Sequence, residues 1–130
     1  MMTEMTIDAL ANSVALQVEG AVDYWPEYDR KDITSERIVV TPEGIAYAHM
    51  SRNLVQTDYH IAVGILRRAT EDDVPGLVKK VQRLGRMLLG RQFITARCVD
   101  VKYDPLYSID HLRERRQFTA VLRLTLRTAE

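Results

Sequence analysis

The sequence has 130 residues, enough for one domain with one hydrophobic core, so folding requires neither a disulfide nor a metal. Eighteen basic residues balance eighteen acidic ones, which argues against a dedicated nucleic-acid-binding domain. The single cysteine, Cys98, cannot form an internal disulfide and fits a reducing compartment such as a bacterial cytoplasm. No apolar run is long enough to span a membrane, and the N-terminus is unlike a signal peptide. We therefore expect one domain, residues 1–130, without a membrane partner.

The first predicted element is a helix over residues 6–19. Its apolar residues recur at the three- and four-residue steps of one helical face: Ile7, Leu10, Ala11, Val14 and Val18. Thr6 or Asp8 is suited to cap the first turn, and Gly20 is suited to end the helix.

Residues 21–33 are aromatic and acidic and are interrupted by Pro26, which allows an edge strand or an extended arm but not a central strand. Trp25 and Tyr28 either cap the core between elements or contact a neighbouring subunit, since Trp and Tyr are enriched as interface anchors. The carboxylates of this segment either form a solvated surface or supply a pair for acid/base catalysis. They belong to Asp23, Glu27, Asp29 and Asp32.

Two extended segments follow. Residues 36–41 predict a short strand that ends at Pro42, and residues 45–50 predict either a weak strand or a loop. Residues 54–68 predict a long strand whose apolar face carries Tyr59, Ile61, Val63 and Ile65. Its opposite face carries His60, Ala62 and Gly64, and the small residues there predict close approach by another backbone or packing layer.

A long amphipathic helix is predicted between the cap Thr70 and the stop Gly90. Acidic residues 71–73 lie at its positive end, and Pro75 lies in the first turn, where proline is tolerated. Gly85 is interpreted as a close crossing with the first helix. The core-facing stripe is predicted to contain Val74, Leu77, Val78, Val81, Leu84 and Leu88.

The last third predicts a strand over residues 93–103, a loop over residues 104–115 and a strand over residues 117–127. Val99, Val101 and Tyr103 are placed on one face of the first strand. The final strand alternates most regularly, with Phe118 and Leu122 inward and Thr119 and Arg123 outward. The predicted fold is α+β, an antiparallel or mixed sheet of about four to five strands with two helices packed on one face.

The sequence contains few residue patterns that indicate catalysis, metal binding or phosphate binding. His49, His60 and His111 lack the spacing of a zinc site, and no glycine-rich phosphate loop is present. Cys98 lies in an apolar strand, where free cysteine usually acts as a small hydrophobe. We predict no catalytic, cofactor or metal site and no enzymatic activity. Two rival classes stay open: a nucleic-acid-binding module that uses the basic face of the long helix with residues 113–116, and a small enzyme that uses the carboxylates of residues 23–32.

The order of these segments resembles the tail-terminator, or tail-completion, family of long-tailed bacteriophages and prophages. A short N-terminal helix precedes YWPEYD and RIVVTP, and SR precedes the strand YHIAVGILRR. An acidic helix start leads into VPGLVKKVQRLGRMLL, and DPLY leads to RRQFTAVLRLTLR. The resemblance covers roughly residues 5 to 127, and this family also lacks a catalytic motif.

The resemblance implies a hexameric ring on the last ring of the tail tube, which stops tube polymerisation and offers a docking surface to the head connector. The ring would be assembled in the bacterial host cytoplasm and would reside in the tail-neck region of the virion. DNA would pass through its lumen without specific binding, which the zero net charge permits. Head-closure and other neck proteins have similar size and composition and stay as alternatives.

Subunits of a cyclic ring meet through two different patches. We predict that the aromatic, proline-broken arm around Trp25 contacts the charged loop of residues 107–116. Glu27, Asp29 and Asp32 of one subunit would then face the arginines of the neighbour. The predicted interface residues are Trp25, Tyr28, Asp29, Tyr107, Arg113, Arg115 and Arg116.

Overall fold

The computed structural model describes residues 5–28 and 35–129. Its helices are α1 (Ile7–Val18), α2 (Val74–Leu88) and α3 (Ile109–Arg115), and a 3-10 turn (Glu71–Asp73) precedes α2. Its strands are β1 (Ala21–Val22), β2 (Arg37–Ser51), β3 (Leu54–Arg68), β4 (Gln92–Phe93), β5 (Ala96–Tyr103) and β6 (Gln117–Ala129). The predicted α+β class is confirmed.

The strands form one mixed sheet in the order β1-β2-β3-β6-β5-β4. Only the pairing of β1 with β2 is parallel, and the other neighbours are antiparallel. The described residues therefore hold six strands and three α-helices, where about four to five strands and two helices were predicted. The additional strands, β1 and β4, have two residues each and are defined by pairing with a neighbour, which a periodic pattern cannot reveal.

One face of the sheet, which we call the helix face, is covered by α1 and α2. Strands β3 and β6 bury large apolar residues there: Tyr59, Ile61, Val63, Ile65, Phe118, Leu122, Leu124 and Leu126. The predicted faces of β3 and β6 are thus confirmed on this side. Helix α1 contributes Leu10, Val14 and Val18 to the same core, and α2 contributes Leu77, Val81 and Leu88.

The opposite face was predicted to be exposed to solvent, and at one end of the sheet this prediction was wrong. Thr119 and Gln117 are each only 2% exposed, and Ala62 and Leu66 are each 1% exposed. Residues 23–28, which we call the arm, lie over this end, and we call the whole surface the arm face. The alternation of β6 could not show this cover, because it comes from the arm, which is distant in sequence, and from His111 of α3.

Helix α1 begins as predicted, since the Thr6 hydroxyl accepts a hydrogen bond from the Ala9 N–H at 3.1 Å. The left-handed residue that ends it is Glu19, with φ 58°, and not the predicted Gly20. Gly20 has another constraint, because a Cβ there would lie 2.8 Å from the Ile38 carbonyl oxygen.

Helix α2 follows the predicted pattern, except that Val74 is half-buried and lies outside the core cluster. The Asp73 carboxylate accepts a hydrogen bond from the Thr70 N–H at 2.9 Å, and Gly90 has a positive φ of 83° just beyond the helix. Leu84 is only half-buried. Gly85 does not mark a crossing with α1: its neighbour is the phenol of Tyr103 on β5, whose hydroxyl donates to the Gln82 carbonyl at 3.0 Å.

Strand β2 does not stop at Pro42 but runs through it to Ser51, so the prediction of a strand end was wrong. A β-bulge between Pro42 and Gly44 accommodates the ring, as proline within sheets is confined to edges and bulges. Antiparallel pairing with β3 then carries the strand onward, with a second register shift between His49 and Ser51.

The predicted strand 93–103 is a hairpin of β4 and β5, because Ile94 turns the chain with φ 56°. A bulge between Cys98 and Asp100 turns Val99 outward, so Val101 and Tyr103 share a face with Cys98 instead. The predicted loop 104–115 contains α3, whose first turn is capped by Ser108 accepting from the His111 N–H at 3.2 Å.

Candidate functional site

The arm is fixed to the sheet by its backbone. The Asp23 N–H donates to the Val40 carbonyl at 2.9 Å, and the Thr41 hydroxyl donates to the Asp23 carbonyl at 2.8 Å. The Asp23 carboxylate accepts from the Trp25 N–H at 3.0 Å, closing a local turn. Asp23 therefore fixes the start of the arm, and a catalytic role of the carboxylates of residues 23–32 stays an untested alternative.

Trp25 is the most exposed large hydrophobic residue described, with 85% of its surface accessible. Its ring lies 6.3 Å from that of Tyr24, centroid to centroid. Tyr24 in turn donates its hydroxyl to the Asp8 carboxylate at 2.9 Å, near the start of α1. A well-fixed backbone thus carries an indole that packs against little of its own chain.

Tyr28 lies on the arm face with its ring against Gly64, where a Cβ would collide with the ring. The predicted close approach at this small residue is confirmed. Burial raises the pKa of the Tyr28 phenol, and a hydrogen bond with Thr41 opposes the shift. Asp29, which was predicted to belong to the interface, lies outside the described residues, as does Asp32.

The second predicted patch lies around α3. Tyr107 stacks on Phe118 with ring centroids 6.1 Å apart and is half-buried, so part of its surface belongs to the core. Arg113 and Arg116 are exposed, and Arg115 is half-buried. The helix α3 thus presents basic side chains outward, although the sequence was interpreted there as a loop.

A polar connection joins these two patches inside one subunit. The Gln117 amide donates to the Tyr28 carbonyl and, at 2.6 Å, to the Thr119 hydroxyl. Nδ1 of His111 lies 2.9 Å from that same hydroxyl. Tyr28 and α3 are therefore neighbours within the chain. The predicted pairing between arm carboxylates of one subunit and arginines of the next stays a prediction.

A groove between α1 and α2 was not foreseen. It has a volume of about 340 Å³ and lies on the helix face, lined by the end of α1 and one side of α2. Ile38, Ile65 and Phe118 form its floor, and Val18 and Leu84 line its walls. Its existence depends on the separation of two helices, which no local pattern encodes.

The rim of this groove is charged. Nζ of Lys80 on α2 lies 2.8 Å from the Glu36 carboxylate, which joins α2 to the start of β2. Glu19 and Arg83 complete the rim, and within the described residues Arg83 forms no ion pair. An apolar interior with a polar edge is typical of a binding site for a hydrophobic group.

The end of the β2–β3 hairpin carries exposed apolar side chains that were also missed. Ile45, Tyr47 and Val55 lie on the helix face beyond α1, and Tyr47 is 72% exposed. Exposed apolar residues gathered on one face indicate an interaction surface.

On the arm face, two arginines are paired with carboxylates, so their positive charges are largely neutralised. Arg123 lies 2.6 Å from the Glu43 carboxylate and 3.6 Å from that of Asp104. The Arg127 guanidinium donates to Asp58 at 2.8 Å and holds the pKa of that carboxyl below its usual value. Neutralised arginines offer little attraction for phosphate.

The described residues contain no group of three or more histidine, cysteine or acidic side chains that could hold a metal. Cys98 is buried, and desolvation raises the pKa of its thiol to about 11. Within ranges 5–28 and 35–129, no helix is long and apolar enough to cross a membrane. No family model matches this sequence, and a search of curated proteins finds no significant match.

Proposed function

We propose that this chain is a structural subunit of a phage tail terminator, a ring at the head-proximal end of the tail tube that stops tube polymerisation. The ring would join the tail to the head connector and let DNA pass through its lumen. The order of sequence segments supports this proposal, together with an α+β subunit that exposes Trp25 on its arm.

The observation that carries the proposal is Trp25. A backbone fixed by Asp23 and Thr41 holds an indole that is 85% exposed. Leaving an indole in water forgoes the burial of roughly 150–250 Å² of aromatic surface. A partner that covers Trp25 would bury that area, and few residue types anchor protein interfaces as strongly.

The charge distribution agrees with a ring around passing DNA. The chain carries no formal net charge, and Arg123 and Arg127 are paired with carboxylates on the sheet. A face with charges paired in this way would not bind the phosphate backbone strongly, so DNA could move past it through the lumen.

The test uses particles from which the gene for this chain has been deleted. We expect tails of uncontrolled length that carry no heads, seen by electron microscopy. Normal-length tails without heads would indicate a head-closure ring instead, and normal particles would exclude both positions.

Complementation with Trp25→Ala should leave the subunit folded but fail to restore tail length. Leu16→Ala is the matched control, because Leu16 is 83% exposed but lies on α1, outside the arm. If Trp25→Ala restores normal particles, Trp25 is not an anchor.

A further inference from the structure

We propose that Trp25 of one copy of this chain inserts into the groove between α1 and α2 of a second copy. This inference rests on the proposed ring function. It identifies the arm and the groove as the two patches through which neighbouring subunits would meet. The arm would thus contact the groove of its neighbour, whereas the sequence predicted contact with the charged segment of residues 107–116.

Shape supports this pairing. The groove, at about 340 Å³, lies near the lower limit of the roughly 300–1,000 Å³ of small-molecule sites, so it suits one aromatic side chain. Its floor of Ile38, Ile65 and Phe118 is apolar and offers the indole ring aliphatic and aromatic contacts.

Trp25 cannot fill the groove of its own subunit. Tyr24, the preceding residue, donates a hydrogen bond to Asp8 in the first turn of α1, whereas the groove begins at Gln17 in the last turn. At ~1.5 Å per residue these two positions are about 14 Å apart along the helix. Since Trp25 is 85% exposed and does not line this groove in its own subunit, a Trp25 side chain that fills the groove belongs to another copy.

Charge complementarity gives the contact its orientation. Asp23 and Glu27 flank Trp25 on the arm, and Arg83 lies on the groove rim without a carboxylate partner among the described residues. Arg83 could pair with Glu27 of the incoming arm and lie over the face of the indole. On the opposite rim, Glu19 is an acceptor for the indole N–H.

The arm and the groove are different patches, so each copy can give one arm and receive another. Contacts of this head-to-tail kind close into a ring when the rotation between copies is suitable. A two-fold dimer would instead place the same patch on both partners.

The experiment uses the full-length protein and its single tryptophan as the probe. Oligomer mass is measured by sedimentation across a concentration series, and tryptophan emission is recorded on the same samples. We expect emission to shift to shorter wavelength as copies associate, because the indole leaves water. Trp25→Ala should weaken association by on the order of thirtyfold or more.

Charge reversal tests the groove itself. Arg83→Glu should weaken association roughly tenfold, and the double variant Arg83→Glu with Glu27→Arg should restore it. Lys79→Glu is the matched control, since Lys79 is exposed on the same helix but does not line the groove. Thermal melting of each variant verifies that the subunit is folded.

The outcomes separate this contact from the proposed function. Association with unchanged tryptophan emission, or with no effect of Arg83→Glu, would overturn the groove contact while leaving a ring in place. A chain that stays monomeric at every concentration would also overturn it as a contact between free copies. The tail-length phenotype of the deletion tests the ring function independently.

Discussion

The two faces of the sheet are buried by different means. The helix face buries large aliphatic side chains under α1 and α2, with Ile61, Leu88 and Leu122 inaccessible to water. The arm face buries fewer large side chains, such as Leu66, together with small and polar residues, including Gly64, Gln117 and Thr119, beneath the arm and α3. Apolar burial on the helix face is non-directional and supplies stability. On the arm face, hydrogen bonds and close contacts are directional and hold the arm in one position.

This difference separates folding from assembly. Changes on the helix face should alter the free energy of unfolding, because they remove apolar area from the core. Changes on the arm face should cost less stability, because fewer large side chains are buried there, and those next to Tyr28 should also alter where the arm lies. The following experiments test that division, beginning with the largest expected effect.

Leu88→Ala should lower the free energy of unfolding by about 2–5 kcal/mol, since it removes a fully buried side chain of α2 and leaves a cavity. Denaturant titration measures the change. Leu89→Ala is the control, because Leu89 is the next residue and is 53% exposed. Equal effects of the two substitutions would show that Leu88 does not belong to the core.

Gly64→Ala should cost about 1–3 kcal/mol, because the new methyl group would overlap the Tyr28 ring and lie 3.1 Å from Cγ2 of Val39. Adding Tyr28→Ala should recover part of this loss, as measured by a double-mutant cycle. Gly76→Ala on α2 is the matched control, since a Cβ there meets nothing within 4 Å. Additive effects of Gly64→Ala and Tyr28→Ala would mean that the ring does not cover Gly64.

The Cys98 thiol should resist alkylation in the native protein at pH 8. Burial raises its pKa to about 11, so almost no thiolate is present, and reagents cannot reach the sulfur. Labelling followed by mass spectrometry should show rapid modification only after unfolding in denaturant. Fast labelling of the folded chain would place Cys98 outside the helix-face core.

The smallest effect concerns Asp58 on the arm face. Its pKa is lowered in the folded chain by the hydrogen bond from Arg127, so its contribution to stability is present above the unfolded pKa. That contribution is lost as the pH falls through the lowered folded pKa. Asp58→Asn should therefore reduce the loss of stability between pH 6 and pH 3, measured by thermal melts.

Glu114→Gln, which removes an exposed carboxylate of α3, is the control for this experiment. An acid dependence that is the same in Asp58→Asn and the unmodified chain would mean that the pair with Arg127 does not contribute. The effect is small because the Arg127 side chain is 43% exposed and solvent screens the pair.

The helix face was largely predictable because its pattern is local. The three- and four-residue spacing of α2 and the alternation of β3 and β6 gave the correct core residues, with Leu77, Val81 and Leu124 all buried. Pro42 was misjudged because a bulge, paired against β3, lets the strand continue. Helix α3 was missed although Ser108 is a suitable cap and Asp110 an acidic first-turn residue.

The candidate site was less predictable because it depends on contacts between distant segments. Trp25 was identified by residue type alone, and its exposure agrees with an anchor. The small residue Gly64 indicated a close approach, but nothing in the sequence said that Tyr28 makes it. The groove between α1 and α2 arises from the placement of whole helices, so no motif marks it.

The position of β6 in the sheet has a consequence for the order in which the chain folds. Strands β2 and β3 form a hairpin of neighbouring segments, which closes a short loop at low entropic cost. Strand β6, the last along the chain, pairs with both β3 and β5 and lies in the interior of the sheet. During synthesis, β3 keeps one unpaired edge until β6 leaves the ribosome. Until then, that edge is exposed to pairing with other nascent chains.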